Sequence, residues 1–349
     1  MRTMLLLALC LIPLAAYAND EPAKEARFLA YMDSGRSLQT SLMAAQDTPR
    51  RVVKIKRGKP LPFFEGFVEF IKELDRNDIV LIGEEHDDPA SHRLEWDIVH
   101  SIEPNAIGME MFERDVQPVL DTYLNDSDFG SAHWADAEKE FLAKSRPWGN
   151  YPTDYRPIIE FSHHFLGDPR VYASNCPTSI ARRVAKEGLD NVLESLKSEE
   201  RNWVAETTTS PKDEYWQKFL EAMSGGGSAS NEAHGMGMSE DQIYSFYQAQ
   251  CLKDDTMAES IARLREVDPQ RQVVHLSGSF HIDYHLGIYP RLVQRRPQDK
   301  IVTVALRPVD NFDDATLQAA LDGEPGVADY VVFVLREAKP EAAPAVPSP

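Results

Sequence analysis

Short apolar runs alternate with longer segments of helical periodicity over most of the chain. Residues 78–83 (DIVLIG) form a continuous apolar run that ends at a glycine. That is the pattern of a parallel strand covered on both faces. Asp87 or Asp88 then caps a helix with Pro89 in its first turn, and Leu94, Ile98, Val99 and Ile102 give that helix an apolar face. Residues 106–111 predict a second strand. Asp115 is placed to cap the next helix, whose stripe is Val116, Val119, Leu120, Tyr123 and Leu124. Further strands are predicted at 170–175, 272–276, 301–306 and 330–335, with a helix over 178–186. Strands that alternate with helices predict an α/β fold with a mostly parallel central sheet flanked by helices. Residues 189–266 contain no strand pattern. Helices at 191–207, 213–223 and 240–265 read as a helical insertion or lid, interrupted by a Gly- and Ser-rich loop at 224–237. The expected organisation is an N-terminal extension over 19–54, the α/β domain over 55–337, and a disordered Pro/Ala-rich tail over 338–349.

The polar residues fall at the ends of these strands. The first strand runs into Gly83-Glu84-Glu85-His86, the second carries Glu110 inside an apolar run, the third ends at Asn175, and the fourth leads to Gly278-Ser279-Phe280-His281. Open α/β sheets bind ligands just outside the carboxyl ends of their strands, so these residues are expected to share one pocket. A carboxylate at Glu110 is costly in a central strand unless it is paired, hydrogen-bonded or on a metal. His86 and His281 each follow a strand in the same Gly-x-x-His spacing, and a glycine lets the chain turn tightly there. In the helix at 240–265, Ile243, Tyr247, Gln250, Asp254, Met257, Ile261 and Leu264 make one stripe. Gln250 and Asp254 interrupt that seam. They either bond buried backbone or face the pocket.

Composition removes several function classes. The 349 residues carry 37 Lys+Arg against 56 Asp+Glu, a formal charge of −19 that disfavours a nucleic-acid partner. Arg2, an apolar run over 4–14 and the Ala16-Tyr17-Ala18 step read as a secretory signal peptide over 1–18, cleaved near Ala18. That run is too short to span a bilayer. Cys10 does not read as a lipid-attachment site, because Leu9 precedes it where a small residue is expected. The expected location is periplasmic or secreted. There Cys176 and Cys251 either close a disulfide or stay as two buried thiols. His281-Ile282-Asp283-Tyr284-His285 lacks the glutamate of a zinc-protease helix, and His163 and His164 read as surface or capping residues. No phosphate loop, dinucleotide fingerprint or Gly-x-Ser-x-Gly elbow is present.

The motif order resembles the ChaN-like haem-binding uptake proteins of the Tiki, TraB and erythromycin-esterase-like superfamily. The residues that carry the resemblance are Gly83-Glu84-Glu85-His86-Asp87 with His92, and Gly108-Met109-Glu110-Met111-Phe112. They continue with the aromatic segment from Trp148 to Tyr155, Ala173-Ser174-Asn175, Gln250 with Asp254, Met257 and Ala258, and Gly278-Ser279-Phe280-His281 with Gly287 and Pro290. The resemblance covers about residues 55–310. It implies haem as cofactor, a role in haem or iron uptake, a homodimer with haem between protomers, and an uptake-system receptor as partner. Tyr155 and His234 are the candidate iron ligands, with Trp148, Tyr151, Met236 and Met238 lining the porphyrin pocket. A second reading is a metal-dependent hydrolase. In it His86, Glu110 and His281 hold a divalent metal ion and Glu84 or Glu85 takes a proton from bound water. A variant of that reading uses Glu and His directly as acid and base.

Overall fold

Eight strands make one sheet in a computed structural model that describes residues 49–56, 59–125, 132–165, 171–223 and 239–336. The strands are β1 (Arg50–Lys56), β2 (Lys59–Glu65), β3 (Ile79–Glu84), β4 (Ala106–Glu113), β5 (Val171–Asn175), β6 (Val273–Gly278), β7 (Ile301–Val309) and β8 (Tyr330–Leu335). Their order across the sheet is β2-β1-β8-β7-β3-β6-β4-β5. From β8 to β5 every neighbouring pair is parallel. β1 and β2 add an antiparallel edge. The expected α/β architecture is therefore present, with this edge in addition.

Neither strand of this antiparallel pair is visible as an alternating pattern. In β1 only Val52 and Val53 are fully buried, one facing each hydrophobic layer. In β2 the sequence KPLPFFE carries two prolines, which only an edge strand tolerates. The sheet consequently starts at Arg50, and the expected boundary at residue 55 falls inside β1.

The helices are α1 (Phe67–Leu74), α2 (Pro89–Ile102), α3 (Gln117–Asn125), α4 (Ala132–Ser145), α5 (Arg156–Phe165), α6 (Thr178–Glu187), α7 (Leu189–Ser195), α8 (Glu214–Met223), α9 (Glu240–Val267), α10 (Ile288–Arg295) and α11 (Asp314–Gly323). Asp88 caps α2 by accepting from the Ser91 N–H at 2.8 Å, and Pro89 opens the helix. Asp115 is not a cap. It lies in a 3₁₀ turn and pairs with Arg146 at 2.7 Å, so α3 starts later than expected. The single helix expected over 191–207 is broken at Leu196, whose backbone is extended. A short turn, Ser198–Arg201, follows.

One core layer packs α2, α3 and α5 against the sheet through Leu94, Ile98, Leu120, Ile158, Val80 and Ile107. The opposite layer packs α9 and α10 through Met257, Ile261, Ile288 and Leu292. Thus α9 is more than part of a lid: its second half belongs to the sheet core. Its first half carries Ile243 and Tyr247 into a separate aromatic cluster with Tyr215, Trp216 and Phe219 of α8. Cys176 and Cys251 are both free and buried in different clusters, so of the two alternatives the thiols hold. Burial pushes each thiol up to about 12. No helix among the described residues is long and apolar enough to cross a membrane. Residues 1–18, the 224–237 loop with His234 and Met236, Met238, and the 338–349 tail lie outside the described residues.

Candidate functional site

β3, β6 and β4 are adjacent at the centre of the sheet, and their carboxyl ends meet. Glu84 stands level with Gly278 across the β3–β6 pair, and β4 delivers Glu110 just beyond its last pair with β6. Parallel register therefore brings to one edge residues that lie almost 200 positions apart.

Glu110 sits at the middle of the site. Its Oε2 accepts the Gly278 N–H at 2.9 Å, and its Oε1 accepts from His281 Nε2 at 3.1 Å. Lys253 Nζ is 3.8 Å from the same Oε1. His281 Nδ1 donates to Asp254 Oδ1 at 2.6 Å. The Tyr215 hydroxyl donates to Asp254 Oδ2 at 2.7 Å, and the Gln250 amide donates to that hydroxyl while standing 3.1 Å from His281 Nδ1. Gln250 and Asp254 thus face the pocket. Burial favours a neutral His281, but the Glu110 and Asp254 carboxylates outweigh it and raise the imidazole to about 9. Burial likewise opposes charge on Glu110, yet His281 holds its carboxyl well below the usual range.

His86 is the open member of the group, with its side chain 45% exposed. Its Nδ1 lies 2.8 Å from Glu84 Oε1, and its Nε2 faces Glu110 Oε2 at 3.8 Å. Trp148 stands edge-on to its ring, with centroids 4.3 Å apart. Gly278 leaves the room for that ring: a Cβ there would come within 2.6 Å of His86 Nε2. Gly278 has an ordinary backbone (φ −56), so Gly278→Ala is expected to keep the fold and push the His86 ring outward. Faster modification of His86 by diethyl pyrocarbonate, read by mass spectrometry, is the expected result; an unchanged rate would contradict the packing.

Behind His86 lies a more deeply buried group. The Tyr155 hydroxyl donates to Glu84 Oε1. His92 Nδ1 lies 3.0 Å from both Glu84 Oε2 and Glu95 Oε2. Burial works against the Glu84 carboxylate, but hydrogen bonds from His86 and His92 hold it below the usual range. Burial and the Glu84 charge together raise Glu95 well above its ordinary value. His92 overcomes burial through Glu84 and Glu95 and reaches about 11.

Several expected site residues sit elsewhere. Glu85 points away from the pocket toward Arg336, at 3.4 Å. Asn175 is buried beneath the site: its amide donates to the Glu110 carbonyl at 3.0 Å and its oxygen accepts the Cys176 N–H at 2.8 Å, so it braces β4. Tyr155 is only 2% exposed, and its hydroxyl is engaged by Glu84, so it does not present an oxygen to an iron. His86, Glu110 and His281 do come together, but not with three ligand atoms within 4.8 Å of one another. Glu110 separates the two rings, and both His281 nitrogens are taken by carboxylates. Among the described residues, the set that brings three ligand atoms within 4.8 Å of one another is Glu84, His92 and Glu95. Lys253, Tyr215 and Glu95 were not legible as site residues. Glu95 carried one signal, a carboxylate between Leu94 and Trp96 on the buried side of α2, three residues after His92.

No curated protein sequence matches the chain significantly. The solved structure of ChaN from Campylobacter jejuni, described as showing cofacial haem binding, superposes with a TM-score of 0.54 at 18% identity, covering 83% of this chain and 98% of that one. That likeness shows the shared fold. An erythromycin esterase mutant in its open conformation matches with a TM-score of 0.44 at 12% identity, over 83% of this chain and 98% of the esterase. The family described as haem-binding uptake, Tiki superfamily, ChaN matches residues 70–292, from α1 through the site to α10. The chain belongs to this ChaN family of haem-binding uptake proteins in the Tiki superfamily.

Proposed function

We propose that the protein binds haem in the periplasm or outside the cell and serves haem or iron uptake, pairing as a homodimer around the haem and delivering to an uptake-system receptor. The observation that carries this reading is the family match, which spans the whole pocket. The cofacial haem of the Campylobacter ChaN supports the paired arrangement. The donor chemistry of the site fits the group. His86 is a half-exposed imidazole with one nitrogen bonded to a carboxylate and an indole beside its ring. Such a carboxylate fixes the tautomer and raises the basicity of an iron-ligating histidine. Haem supplies iron as a Lewis acid and a broad apolar face; His86 would bind it, Glu84 would orient His86, and Trp148 would exclude water.

Haemin titration followed by absorbance tests the assignment. His86→Ala is expected to weaken the Soret shift at least tenfold in apparent affinity. Tyr155→Phe is expected to leave it near the wild type, because the phenol is buried on Glu84. Loss in Tyr155→Phe with none in His86→Ala would overturn this ligand choice. Loss only in His234→Ala would move the ligand to the 224–237 loop.

One observation favours a second reading, metal-free hydrolysis. His86 is half-exposed and oriented by Glu84 through Nδ1, while its Nε2 lies 3.8 Å from Glu110, beyond hydrogen-bond distance, so that nitrogen is not engaged and can serve a general base's role. Ester hydrolysis abolished by His86→Ala, in protein free of haem and metal, would support it.

A further inference from the structure

We propose that Glu84, His92 and Glu95 form a buried site for one divalent transition-metal cation, behind His86 and separate from the haem. The inference does not rest on haem binding. It comes from how the hydrogen bonds around the three side chains are used.

His92 Nε2 faces the backbone carbonyl of His86 at 3.2 Å, which assigns a proton to Nε2. Nδ1 is directed between two carboxylates, 3.0 Å from Glu84 Oε2 and 3.0 Å from Glu95 Oε2, and offers a lone pair to a cation that displaces its proton. Glu84 has its other oxygen occupied by Tyr155 and His86, so only Oε2 is turned inward. Glu95 Oε1 is buried without a hydrogen-bond partner, and Glu84 Oε2 has to share His92 Nδ1 with Glu95 Oε2. Three lone-pair donors from three side chains, all within 4.8 Å, therefore converge in an interior where such atoms require a partner.

Two carboxylate oxygens and one imidazole nitrogen suit first-row cations such as Zn²⁺ or Mn²⁺; no thiolate is present to select softer ions, and the imidazole disfavours Mg²⁺ and Ca²⁺. Donors about 2.0–2.2 Å from a tetrahedral Zn²⁺ stand roughly 3.3–3.6 Å apart, so the two 3.0 Å spacings to His92 Nδ1 need only a small expansion. The backbone carbonyl on His92 Nε2 is the outer-sphere partner that metal-bound histidines ordinarily have. A neutral net charge results whether the site holds one divalent cation between two carboxylates or two protons on His92 and Glu95, so binding has to separate the two.

The test is equilibrium dialysis of tag-free, haem-free protein against Zn²⁺ or Mn²⁺, with metal content counted afterwards, and a Co²⁺ absorption spectrum to report the ligand field. Expected are one retained equivalent, an intense low-symmetry Co²⁺ spectrum, and a higher Tm with metal. Glu95→Gln is close in size and is expected to lower affinity at least tenfold, whereas His281→Gln is expected to keep the metal. Should Glu95→Gln fail to fold, His92→Gln and the wild-type Tm shift carry the test. No retained metal with an unchanged Tm would show that protons alone occupy the cluster and would overturn the proposal. So would metal kept in Glu95→Gln but lost in His281→Gln, which would place it on the outer histidines.

Discussion

Glu110→Gln is expected to lower the stability of the protein by about 3 kcal/mol near pH 6, the scale for removing one partner of a buried ion pair. The glutamine oxygen keeps the Gly278 N–H, but its amide group then faces the His281 Nε2–H, donor against donor. The pH dependence identifies the cause. His281 has its imidazole raised from 6.5 to about 9 by Glu110 and Asp254 against burial. The folded state thus binds this proton more tightly than the unfolded chain does. Its contribution is complete below pH 6.5 and fades as the pH climbs through about 9. Glu110 has its carboxyl depressed, so its share is present above the ordinary carboxylate range and fades on acidification. Urea unfolding of both proteins should give the largest difference between about pH 5 and 6.5, and a smaller one at pH 9.5. A difference that does not change with pH would mean that Glu110 acts through packing alone.

Gly287→Ala is the second large effect. Gly287 stands at φ 48 and ψ −114, a conformation closed to side chains. A Cβ there would lie 2.3 Å from the His281 carbonyl oxygen and 3.2 Å from Asp254 Oδ1. The obstacle is backbone, which cannot swing aside as His86 can at Gly278. The Gly287 carbonyl also accepts from Arg291 at 2.7 Å, tying this turn to α10. A loss of roughly 3 kcal/mol or more is expected, read as a lower urea midpoint, together with a His281 resonance that no longer titrates near 9. Wild-type stability in this variant would contradict the described turn.

The central strands were legible because burial on both faces leaves unbroken apolar runs, as in β3 and β8. The antiparallel pair β1 and β2 was not, because β1 buries few side chains and β2 contains prolines. Glu110, His86, His281, Gln250 and Asp254 could be singled out, since each breaks an apolar pattern or follows a strand-end glycine. Their division of labour could not. Whether a histidine serves as a ligand, a base or a locked imidazolium depends on what faces its nitrogens, and for His281 those partners come from β4 and α9, far away in sequence. Tyr155 looked like a ligand by residue type; it is buried because the helical turn Tyr151–Tyr155, just before α5, packs it against His92 of α2 and aims its hydroxyl at Glu84. Tyr215 gave no signal, since in its own helix it is one more apolar-face aromatic.

The most direct measurement is a haemin titration of the purified haem-free protein, with absorbance and light-scattering mass recorded across the same series. Haem binding predicts a saturable Soret shift at one haem per chain and a mass that moves from monomer to dimer as sites fill. A Soret change that rises without saturation, at constant monomer mass, would contradict the proposed function.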